Sequence, residues 1–380
     1  MRIVISAFTA GLLALGACTP QTKVPEISSA AELAEIEKQK ELALREMVET
    51  EQRLHAIGHR ILQGAVSLCE DRRYDIGVML WSETSVKEEW QSVAKSAYGL
   101  DRQVVVAAVA PTSPAADAGL EPGDEFRRIG AWAVPQDMDD PAKLGGKLRE
   151  LIKDGAPADL IVLRDGARQA LTVTPREVCD YTVALRDDAQ VNAFADGDNV
   201  IVTKGMMDFA RSDQEIAVVV GHELAHNAMG HIDSKTVNKV VGAAPGLVLD
   251  ILLAVVGVNT QGQFMKLGMA AGGAAFSVEF EQEADYVGLY AMALSGYELE
   301  GAPDLWRRMA TKDPKKITFR GSHPTTPERF IALEETVEEI QLKIADGRPL
   351  TPEMKDDDEE GGGVVVQTDS PDRDGAAFAQ

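Results

Sequence analysis

Residues 221–226 read Gly-His-Glu-Leu-Ala-His, and this stretch decides the fold because it places an HExxH pattern within a predicted helix. His222 and His226 are four residues apart, so they lie about 40° from each other around a helix, and both imidazoles can reach one ion. Glu223 lies about 100° from His222, close enough to accept a hydrogen bond from a water on that ion without binding the ion itself. Two nitrogen ligands and a general base are the signature of zinc hydrolases.

The sequence around this pattern predicts a well-defined, buried helix. Ser212 with Glu215 three residues later forms a capping box, and Ile216, Val219 and Leu224 contribute to an apolar face. A five-residue pattern also arises by chance on an ordinary buried helix. However, ionisable side chains embedded among valines must be satisfied by some partner, and a metal ion satisfies them.

A second, acidic helix offers the third ligand. Glu281 and Asp285 lie four residues apart, so both carboxylates point the same way. Glu281 is predicted to bind the ion, and Asp285 to accept the outer N–H of a ligating histidine. Glu279 and Glu283 lie on the opposite side of the helix and are interpreted as solvated charges. His231 is predicted to face away from the histidine pair and to be structural, because its spacing does not fit the third histidine of the metzincin pattern.

Together these motifs resemble metallopeptidase family forty-eight, the zinc proteases that include the HtpX heat-shock protease and the type I CAAX prenyl endopeptidase. The resemblance is carried by the ordered segments 192–195 (NAFA), 200–205 (VIVTKG), 221–231 (GHELAHNAMGH), 281–285 (EQEAD) and 322–324 (SHP). It implies that His222, His226 and Glu281 bind one zinc ion per chain and that Glu223 is the catalytic base. It also implies a mainly helical catalytic domain with a small sheet, and cleavage within polypeptide chains.

Three further histidines need an interpretation. His323 lies in a loop rich in proline and matches the family's downstream histidine, which implies a catalytic position near the metal. There it would donate to the developing oxyanion or occupy an open zinc position, and the alternative is an ordinary loop histidine. His55 and His59 form another pair four residues apart. No carboxylate with ligand spacing accompanies this pair, so both are interpreted as core or surface histidines.

A strand is predicted just before the active-site helix. Residues 200–203 are rich in β-branched side chains, which favour a strand. In a protease of this kind the strand would form a sheet edge, and a polypeptide substrate would pair with it as an added strand. The alternative interpretation is a plain structural strand.

The N-terminus predicts export and attachment to a lipid. Residues 1–17 combine Arg2 with an apolar run that ends in Leu-Gly-Ala directly before Cys18, which is the pattern of a lipoprotein signal peptide. Cys18 is expected to become the lipidated first residue, with ordinary signal cleavage as the alternative. Residues 18–90 are expected to form the anchor, a linker and the first helix of the protease domain. The predicted location is the cell envelope, on the outer membrane and facing the periplasm if the host is Gram-negative.

The two remaining cysteines bracket an inserted segment. Cys69 and Cys179 form an even pair, which in an oxidising compartment is expected to be a disulfide that ties the two ends of the insert together. Two buried free thiols are the alternative. Neither cysteine lies in the sequence context of a nucleophile, so no thiol chemistry is predicted.

The insert, residues 91–176, resembles a PDZ domain of the bacterial protease type, and the turn Pro122–Asp124 is the strongest part of the match. A helix is predicted from Pro141 to Lys153, followed by a hairpin around Asp165-Gly166. A PDZ groove binds an extended peptide or a chain end by strand addition, and the loop Tyr98–Leu100 is expected to hold the carboxylate. The alternative is a degenerate domain that only shields the catalytic cleft.

The composition limits the partners and the domain boundaries. Lys+Arg 38 against Asp+Glu 61 gives a net charge of -23, which argues against nucleic acid and leaves the lipid as the membrane attachment. The zinc metallopeptidase domain is assigned to residues 177–347, and a disordered acidic tail to 348–380, because that end lacks the apolar content to fold. The apolar runs within 247–276 are too short to span a bilayer and are interpreted either as core or as a lid that touches the membrane.

These observations predict an α+β protein: a mainly helical HExxH zinc metalloprotease domain with a small sheet, plus an inserted β-rich PDZ-like domain. The expected function is that of a zinc-dependent endopeptidase in the cell envelope, acting on polypeptides such as misfolded or stalled envelope proteins. The alternative is a peptide-binding quality-control or assembly factor whose protease activity is latent. No cofactor other than zinc is predicted.

Overall fold

The computed structural model describes residues 27–232, 278–312, 323 and 327–354. The signal peptide, Cys18 and the apolar runs within 247–276 lie outside these described residues. The helices include α1 (Ser29–Gly64), α2 (Glu88–Tyr98), α3 (Pro114–Asp117), α4 (Pro141–Ile152), α5 (Lys204–Phe209), α6 (Asp213–Ala228), α7 (Val278–Leu294), α8 (Ala302–Lys312) and α9 (Pro327–Ala345). The strands include β1 (Arg72–Asp75), β2 (Val78–Trp81), β3 (Val105–Val109), β4 (Glu125–Ile129), β5 (Trp132–Ala133), β6 (Ala158–Arg164), β7 (Ala167–Val173), β8 (Arg176–Cys179), β9 (Thr182–Arg186), β10 (Ala193–Ala195) and β11 (Asn199–Thr203).

The long helix α1 joins two structural units, a helical domain and the inserted β-rich unit. Ser28 caps α1 by accepting a hydrogen bond from the Ala31 amide. The first turns of α1 are exposed, and its buried face begins at Leu44 and continues through Leu54 to Ile61. The helix packs against α2 of the inserted unit and against α6 and α7 of the helical domain. None of the described helices is long and apolar enough to cross a bilayer.

The inserted unit is built on an antiparallel sheet with strand order β2-β3-β4-β6-β7, and β5 pairs with β4. Its core contains Phe126 and Leu160 from the sheet and Leu144 from α4. The turn between β6 and β7 consists of Asp165 and Gly166, whose φ angles are +50° and +79°. Positive φ at both positions is what a two-residue hairpin requires, so the predicted hairpin forms where its turn sequence indicates.

The inserted unit begins earlier than the boundary predicted at residue 91. Its edge strand β2 starts at Val78, and residues 88–98 form α2. The predicted carboxylate loop at Tyr98–Leu100 is wrong, because it is the end of a helix in which Gly99 forms the left-handed cap at φ +64°. The loop that precedes the edge strand is Asp75–Gly77. The sequence misled because a strand of only four residues gives a weak pattern, whereas Tyr-Gly-Leu resembles the composition of such a loop.

A short two-stranded ribbon closes the base of the inserted unit. β1 pairs antiparallel with β8, and Arg72 lies opposite Cys179 in this ribbon. Cys69 and Cys179 are joined by a disulfide with a Cα–Cα distance of 5.6 Å. Both ends of the inserted unit are therefore linked covalently at the point where they leave the helical domain.

The helical domain contains a three-stranded sheet with the order β10-β11-β9. β11 pairs antiparallel with β10 and parallel with β9. The strand predicted at residues 200–203 is therefore central, and the prediction that it forms a sheet edge is wrong. Its side chains Val200 and Val202 are fully buried, as expected for a strand with neighbours on both sides. Among the strands described here, β10 and β9 form the edges of this sheet.

The core of the helical domain is centred on α6. Residues Ile216 to Asn227 of this helix are all buried. α6 packs against α1, α7 and β10, and α9 covers the other side of α7. A helix that is buried all round accounts for the run of three valines that precedes the HExxH pattern.

Residues 348–354 are held against the helical domain, so disorder does not begin at residue 348 as predicted. The buried ammonium of Lys343 donates to Tyr290 Oη at 2.6 Å and to the Thr351 carbonyl at 2.9 Å. The Glu353 amide donates to Tyr286 Oη at 2.9 Å. The acidic run from residue 356 onward lies outside the described residues.

Candidate metal centre

α6 carries the two histidines of the HExxH pattern into the interior. Its N-terminus is capped by Ser212, which accepts from the Glu215 amide at 3.3 Å. His222 and His226 are 2% and 0% exposed, and their Nε2 atoms lie 3.2 Å apart. The four-residue spacing therefore brings both ring nitrogens to one point inside the protein, as the helical repeat requires.

α7 approaches α6 closely at a crossing formed by two glycines. A Cβ atom on Gly221 would lie 2.8 Å from the carbonyl oxygen of Gly288, and a Cβ on Gly288 would lie 2.9 Å from the amide nitrogen of His222. Neither position has room for a side chain. This close approach places the carboxylates of Glu281 and Asp285, which precede Gly288 on α7, next to the histidines of α6.

Four side chains converge on one point. His222, His226, Glu281 and His323 each offer one ligand atom, and these atoms all lie within 4.8 Å of one another. Glu281 lies 3.3 Å from His226 Nε2 through Oε1 and 3.6 Å from His222 Nε2 through Oε2. His323 Nδ1 lies 2.9 Å from Glu281 Oε1. In the part of the chain that the structure describes, no other group of this kind forms a candidate metal site.

Glu223 lies beside this cluster and has an oxygen that no described group satisfies. The side chain is 2% exposed, and Oε2 is buried with no hydrogen-bond partner among the described residues. Its Oε1 lies 3.6 Å from His323 Nε2. An unsatisfied buried carboxylate oxygen is costly, which indicates that a water or a substrate proton belongs there in the working site.

Arg329 is a buried cation that sequence reasoning missed, and it contacts the carboxylates of the cluster on the side away from the histidines' shared point. Arg329 donates from Nε and Nη2 to both oxygens of Asp285, at 2.7 and 2.8 Å, and its Nη1 lies 2.7 Å from Glu281 Oε2. Asp285 Oδ1 in turn lies 2.9 Å from His222 Nδ1. The predicted contact between Asp285 and a histidine of the HExxH pattern is thus present in the structure, and Arg329 holds the two carboxylates in place.

The signal that could have revealed Arg329 is its position within a helical stripe. The buried residues of α9 repeat at intervals of four and three: Arg329, Leu333, Thr336, Ile340 and Lys343. A charged residue at such a core position requires a buried partner of opposite charge. Arg329 has two such partners in Asp285 and Glu281, and Lys343 pairs with the partly exposed Glu339 at 3.0 Å.

His231 and Glu283 form a second layer around His226, which corrects their interpretation from sequence. His231 Nδ1 lies 2.9 Å from His226 Nδ1, and its Nε2 lies 2.9 Å from Glu283 Oε2. His231 therefore does not face away from the pair, and Glu283, although its side chain is 34% exposed, contacts His231 as well as solvent. The chain reverses direction after α6 at Gly230, whose φ is +65°. The prediction from the sequence continued the helix to His231, so it did not include this reversal.

The ionisable side chains of the cluster have shifted pKa values even without a metal ion. Burial lowers the pKa of His222, but hydrogen bonds to Asp285 and Glu281 outweigh burial and raise the pKa to about 10. Burial lowers the pKa of His226 to about 3. Burial raises the pKa of the Glu281 carboxyl, yet the surrounding histidines hold it well below its usual range. Without a metal ion His222 is therefore protonated, His226 is neutral and Glu281 is ionised, so a cation that binds here takes the place of the proton on His222 Nε2.

The other predicted site residues lie apart from this cluster. His55 and His59 on α1 face the Asp75–Gly77 loop, where His55 Nε2 lies 3.3 Å from the Gly77 carbonyl oxygen. They do not form a metal site with the carboxylates described here. The predicted lipidation residue Cys18 lies outside the described residues.

Comparison with known proteins agrees with this geometry. The family model described as Peptidase family M48 matches residues 166–337. The mitochondrial metalloendopeptidase OMA1 of Schizosaccharomyces pombe is 29% identical over 161 residues, covering 41% of this chain and 46% of that protein. Metalloprotease YcaL of Escherichia coli is 31% identical over 175 residues, covering 44% of this chain and 63% of that protein.

A third relative belongs to a different class of protease. A probable periplasmic serine endoprotease, DegP-like, of Pseudomonas savastanoi is 34% identical over 115 residues, covering 30% of this chain and 23% of that protein. This chain thus spans only part of each of these relatives. The family match includes the HExxH helix, Glu281, Asp285 and His323, and residues 166–337 of this chain therefore belong to peptidase family M48.

Proposed function

We propose that this chain is a zinc-dependent endopeptidase, anchored in the cell envelope through a lipid on Cys18, which hydrolyses peptide bonds of misfolded or stalled envelope proteins. One observation carries the proposal: His222, His226 and Glu281 converge in a buried cluster beside Glu223. This combination of three ligands and a free carboxylate is the minimum that metal-assisted peptide hydrolysis requires.

The residues of the cluster fit a zinc ion. Two imidazole nitrogens and one carboxylate oxygen are a usual ligand set of catalytic zinc sites. Nδ1 of His222 is directed to Asp285 at 2.9 Å, so Nε2 is left for the ion. His226 has the same arrangement, because its Nδ1 is directed to His231 at 2.9 Å. Such outer partners fix the tautomer of a metal-binding histidine.

The side chains have distinct parts in the proposed reaction. A bound zinc ion supplies Lewis-acid chemistry, in that it polarises a peptide carbonyl and lowers the pKa of water. Glu223 accepts a proton from the attacking water and transfers it to the leaving amine nitrogen when the C–N bond breaks. Asp285 and Arg329 keep His222 and Glu281 in position. His323, with Nε2 3.6 Å from Glu223 Oε1, is placed to donate a hydrogen bond to the oxyanion.

The substrate is proposed to enter as an extended strand. β10 is an edge strand among those described, and it packs against α6, the helix that carries the catalytic base. An edge strand offers unpaired backbone N–H and C=O groups, which bind an extended peptide independently of its sequence. This mode of binding suits an enzyme that acts on unfolded polypeptides.

A second candidate function is favoured by the position of His323. Its Nδ1 lies 2.9 Å from Glu281 Oε1 and 3.4 Å from His222 Nε2, so it occupies a fourth position around the cluster. Four protein ligands are typical of closed zinc sites, whereas catalytic sites keep one position open. The chain would then act as a peptide-binding quality-control or assembly factor whose protease stays latent until His323 moves.

The proposed location is supported by sequence features. The lipobox pattern that ends at Cys18 indicates export and lipid attachment. A relative with 34% identity is named as a probable periplasmic protease. The disulfide between Cys69 and Cys179 is also typical of an oxidising compartment.

The test combines metal content with cleavage of unfolded casein. The soluble chain from residue 19 onward is compared with Glu223→Gln, and Glu335→Gln, which changes an exposed carboxylate on α9, serves as the matched control. We expect one zinc ion per chain in all three proteins. The parent and Glu335→Gln should cleave casein, and Glu223→Gln should not. The absence of bound metal from the parent protein would contradict the proposal.

His323→Ala separates the two candidate functions. If His323 stabilises the oxyanion, its removal slows cleavage by about 100-fold. If His323 keeps the site closed, its removal accelerates cleavage by the parent chain while the zinc content stays the same.

A further inference from the structure

Trp306 on α8 is buried beside the candidate metal centre, and the proposed reaction does not use it. It is 5% exposed. Its ring centroid lies 5.1 Å from that of His222, with the two ring planes tilted by 59°. The guanidinium of Arg329 lies over the indole, 5.8 Å from the ring centroid. Trp306 therefore packs against both the first histidine of the HExxH pattern and the cation that pairs with the carboxylates of the cluster.

The indole N–H of Trp306 is a buried donor that needs an acceptor. Its Nε1 atom is buried and makes no hydrogen bond within the described ranges. Moving such a donor out of water without giving it a new partner is unfavourable, and the N–H of a buried tryptophan usually has one. The packing of Trp306 against the cluster therefore leaves one hydrogen bond to be accounted for.

A small internal cavity lies beside the indole. Its volume is about 10 Å³. Three polar side chains contribute to its wall, those of Trp306, His222 and Asp285. The rest of the wall is apolar and includes Val218, Met292 and Leu333. A cavity of about 10–15 Å³ holds one water molecule where at least two polar groups can bind that water. The cavity thus has room for one water at a place where a buried donor needs an acceptor.

Asp285 has the capacity to bind such a water. A carboxylate offers about four positions to hydrogen-bond donors. Among the described residues, Oδ1 is approached by Arg329 Nη2 at 2.8 Å and by His222 Nδ1 at 2.9 Å. Oδ2 is approached by Arg329 Nε at 2.7 Å. One position on Oδ2 is therefore available to a water that donates a hydrogen bond.

The contact between His222 and Asp285 depends on a carboxylate that is held firmly. His222 Nδ1 lies close to Asp285 Oδ1, but the contact is bent, because the ring N–H is not well aligned with that oxygen. A bent hydrogen bond is weaker than a straight one. It orients the imidazole only if the carboxylate itself cannot move, so each group that binds Asp285 also contributes to the position of His222.

We propose that Trp306 is a positioning residue of the metal site: its indole N–H donates to one buried water, and this water donates to Asp285. The inference rests on the proposed metal site and adds a residue that acts on His222 through Asp285. Arg329 and the water together hold the carboxylate, and the carboxylate keeps the His222 ring turned so that Nε2 faces the shared point of the cluster.

The first experiment compares metal binding by two tryptophan variants of the soluble chain from residue 19 onward. Trp306→Phe keeps an aromatic ring beside His222 but removes the N–H. Trp132→Phe, in β5 of the inserted unit, is the matched control. Trp306→Phe should weaken zinc affinity by about tenfold, the lower end of the effect expected for outer partners of metal-binding histidines, and Trp132→Phe should leave it unchanged.

Cobalt in place of zinc separates positioning from packing. The visible absorption of bound Co²⁺ depends on the arrangement of its ligands, so it should differ between the parent and Trp306→Phe and be the same in Trp132→Phe. Loss of packing alone would lower the melting temperature without changing this spectrum. Zinc affinity and a cobalt spectrum that are both unchanged in Trp306→Phe would overturn the inference.

The buried water is detected directly by nuclear magnetic resonance of the ¹⁵N-labelled, metal-free parent. The chain has four tryptophans, and the indole signal of Trp306 is identified by its loss in Trp306→Phe. Replacement of the other three, one at a time, identifies the same signal if that variant does not fold. We expect magnetisation transfer from a long-lived water to the Trp306 N–H, and its absence would overturn the inference. A parent chain that binds no zinc would refute the proposed function, whereas this measurement decides on the water in either case.

Discussion

Protonation of His59 should weaken the junction between the two units in mild acid. His59 is 7% exposed, and its Nε2 is buried without a hydrogen-bond partner among the described residues. It faces Asp75 and Arg73 on β1 and His55 and Gln63 on α1. Burial lowers the pKa of His59 to about 4, despite the attraction of the Asp75 carboxylate.

The sign and size of the effect follow from this pKa. The folded-state pKa of His59 lies below its ordinary value of 6.5. The stability that depends on a neutral His59 is therefore fully present above pH 6.5 and is lost as the pH falls towards 4. For one group with these two values, the free energy of unfolding decreases by about 2 kcal/mol between pH 7 and pH 5. This is a large share of the stability of a typical domain, which is about 5–15 kcal/mol.

The assay is urea unfolding of the parent chain and of His59→Gln at pH 7 and pH 5, with a chelator present so that metal binding does not contribute. Carboxylates titrate in both proteins, so the difference between the two acid-induced losses isolates His59. The parent chain should lose about 2 kcal/mol more than the variant. Equal losses in the two proteins would refute the reasoning, because His59 would then titrate alike in the folded and unfolded states.

Three further changes should have measurable effects. In the metal-free protein, Arg329→Met should lower the free energy of unfolding by about 3–5 kcal/mol, because it removes the buried guanidinium that pairs with both Asp285 and Glu281. Urea unfolding in chelator measures this, and a loss below about 1 kcal/mol would contradict the contribution of the buried pair. Gly288→Ala should force α7 away from α6, destabilise the fold by about 1–3 kcal/mol and reduce the zinc content. Gly146→Ala is the control, and an unchanged zinc content in Gly288→Ala would argue against the close crossing. Reduction of the bond between Cys69 and Cys179, mimicked by serine at both positions, should cost about 2–5 kcal/mol of stability, and an unchanged melting temperature would show that the bond does not restrain the insert.

Local spacing made the members of the candidate metal site predictable from the sequence. Residues four apart on a helix share one face, so the pairing of His222 with His226 and of Glu281 with Asp285 required only the helical repeat. The hairpin at Asp165-Gly166 was predictable for a similar reason, since its turn residues tolerate the positive φ that a tight hairpin requires. These features depend on neighbours within one element.

Other features required contacts between distant parts of the chain. The strand at residues 200–203 was identified correctly as a strand, but its neighbours β10 and β9 determine whether it is central or an edge, and sequence pattern does not reveal neighbours. The loop before the edge strand was misplaced for the same reason, because β2 is recognised only through its pairing with β3. His231 returns to His226 through the turn at Gly230, which ends the helical projection.

The sequence by itself determined the chemistry available to this protein: a candidate base, two histidines and a carboxylate at helical spacing, and a pair of cysteines that bracket the insert. Only the tertiary structure decided how these groups meet. The crossing of α6 and α7 at Gly221 and Gly288 brings the candidate ligands together, and Arg329 reaches Asp285 from 44 residues away. The physical reason is that helical periodicity is a local property, whereas the packing of two helices and the partner of a buried charge depend on the whole folded chain.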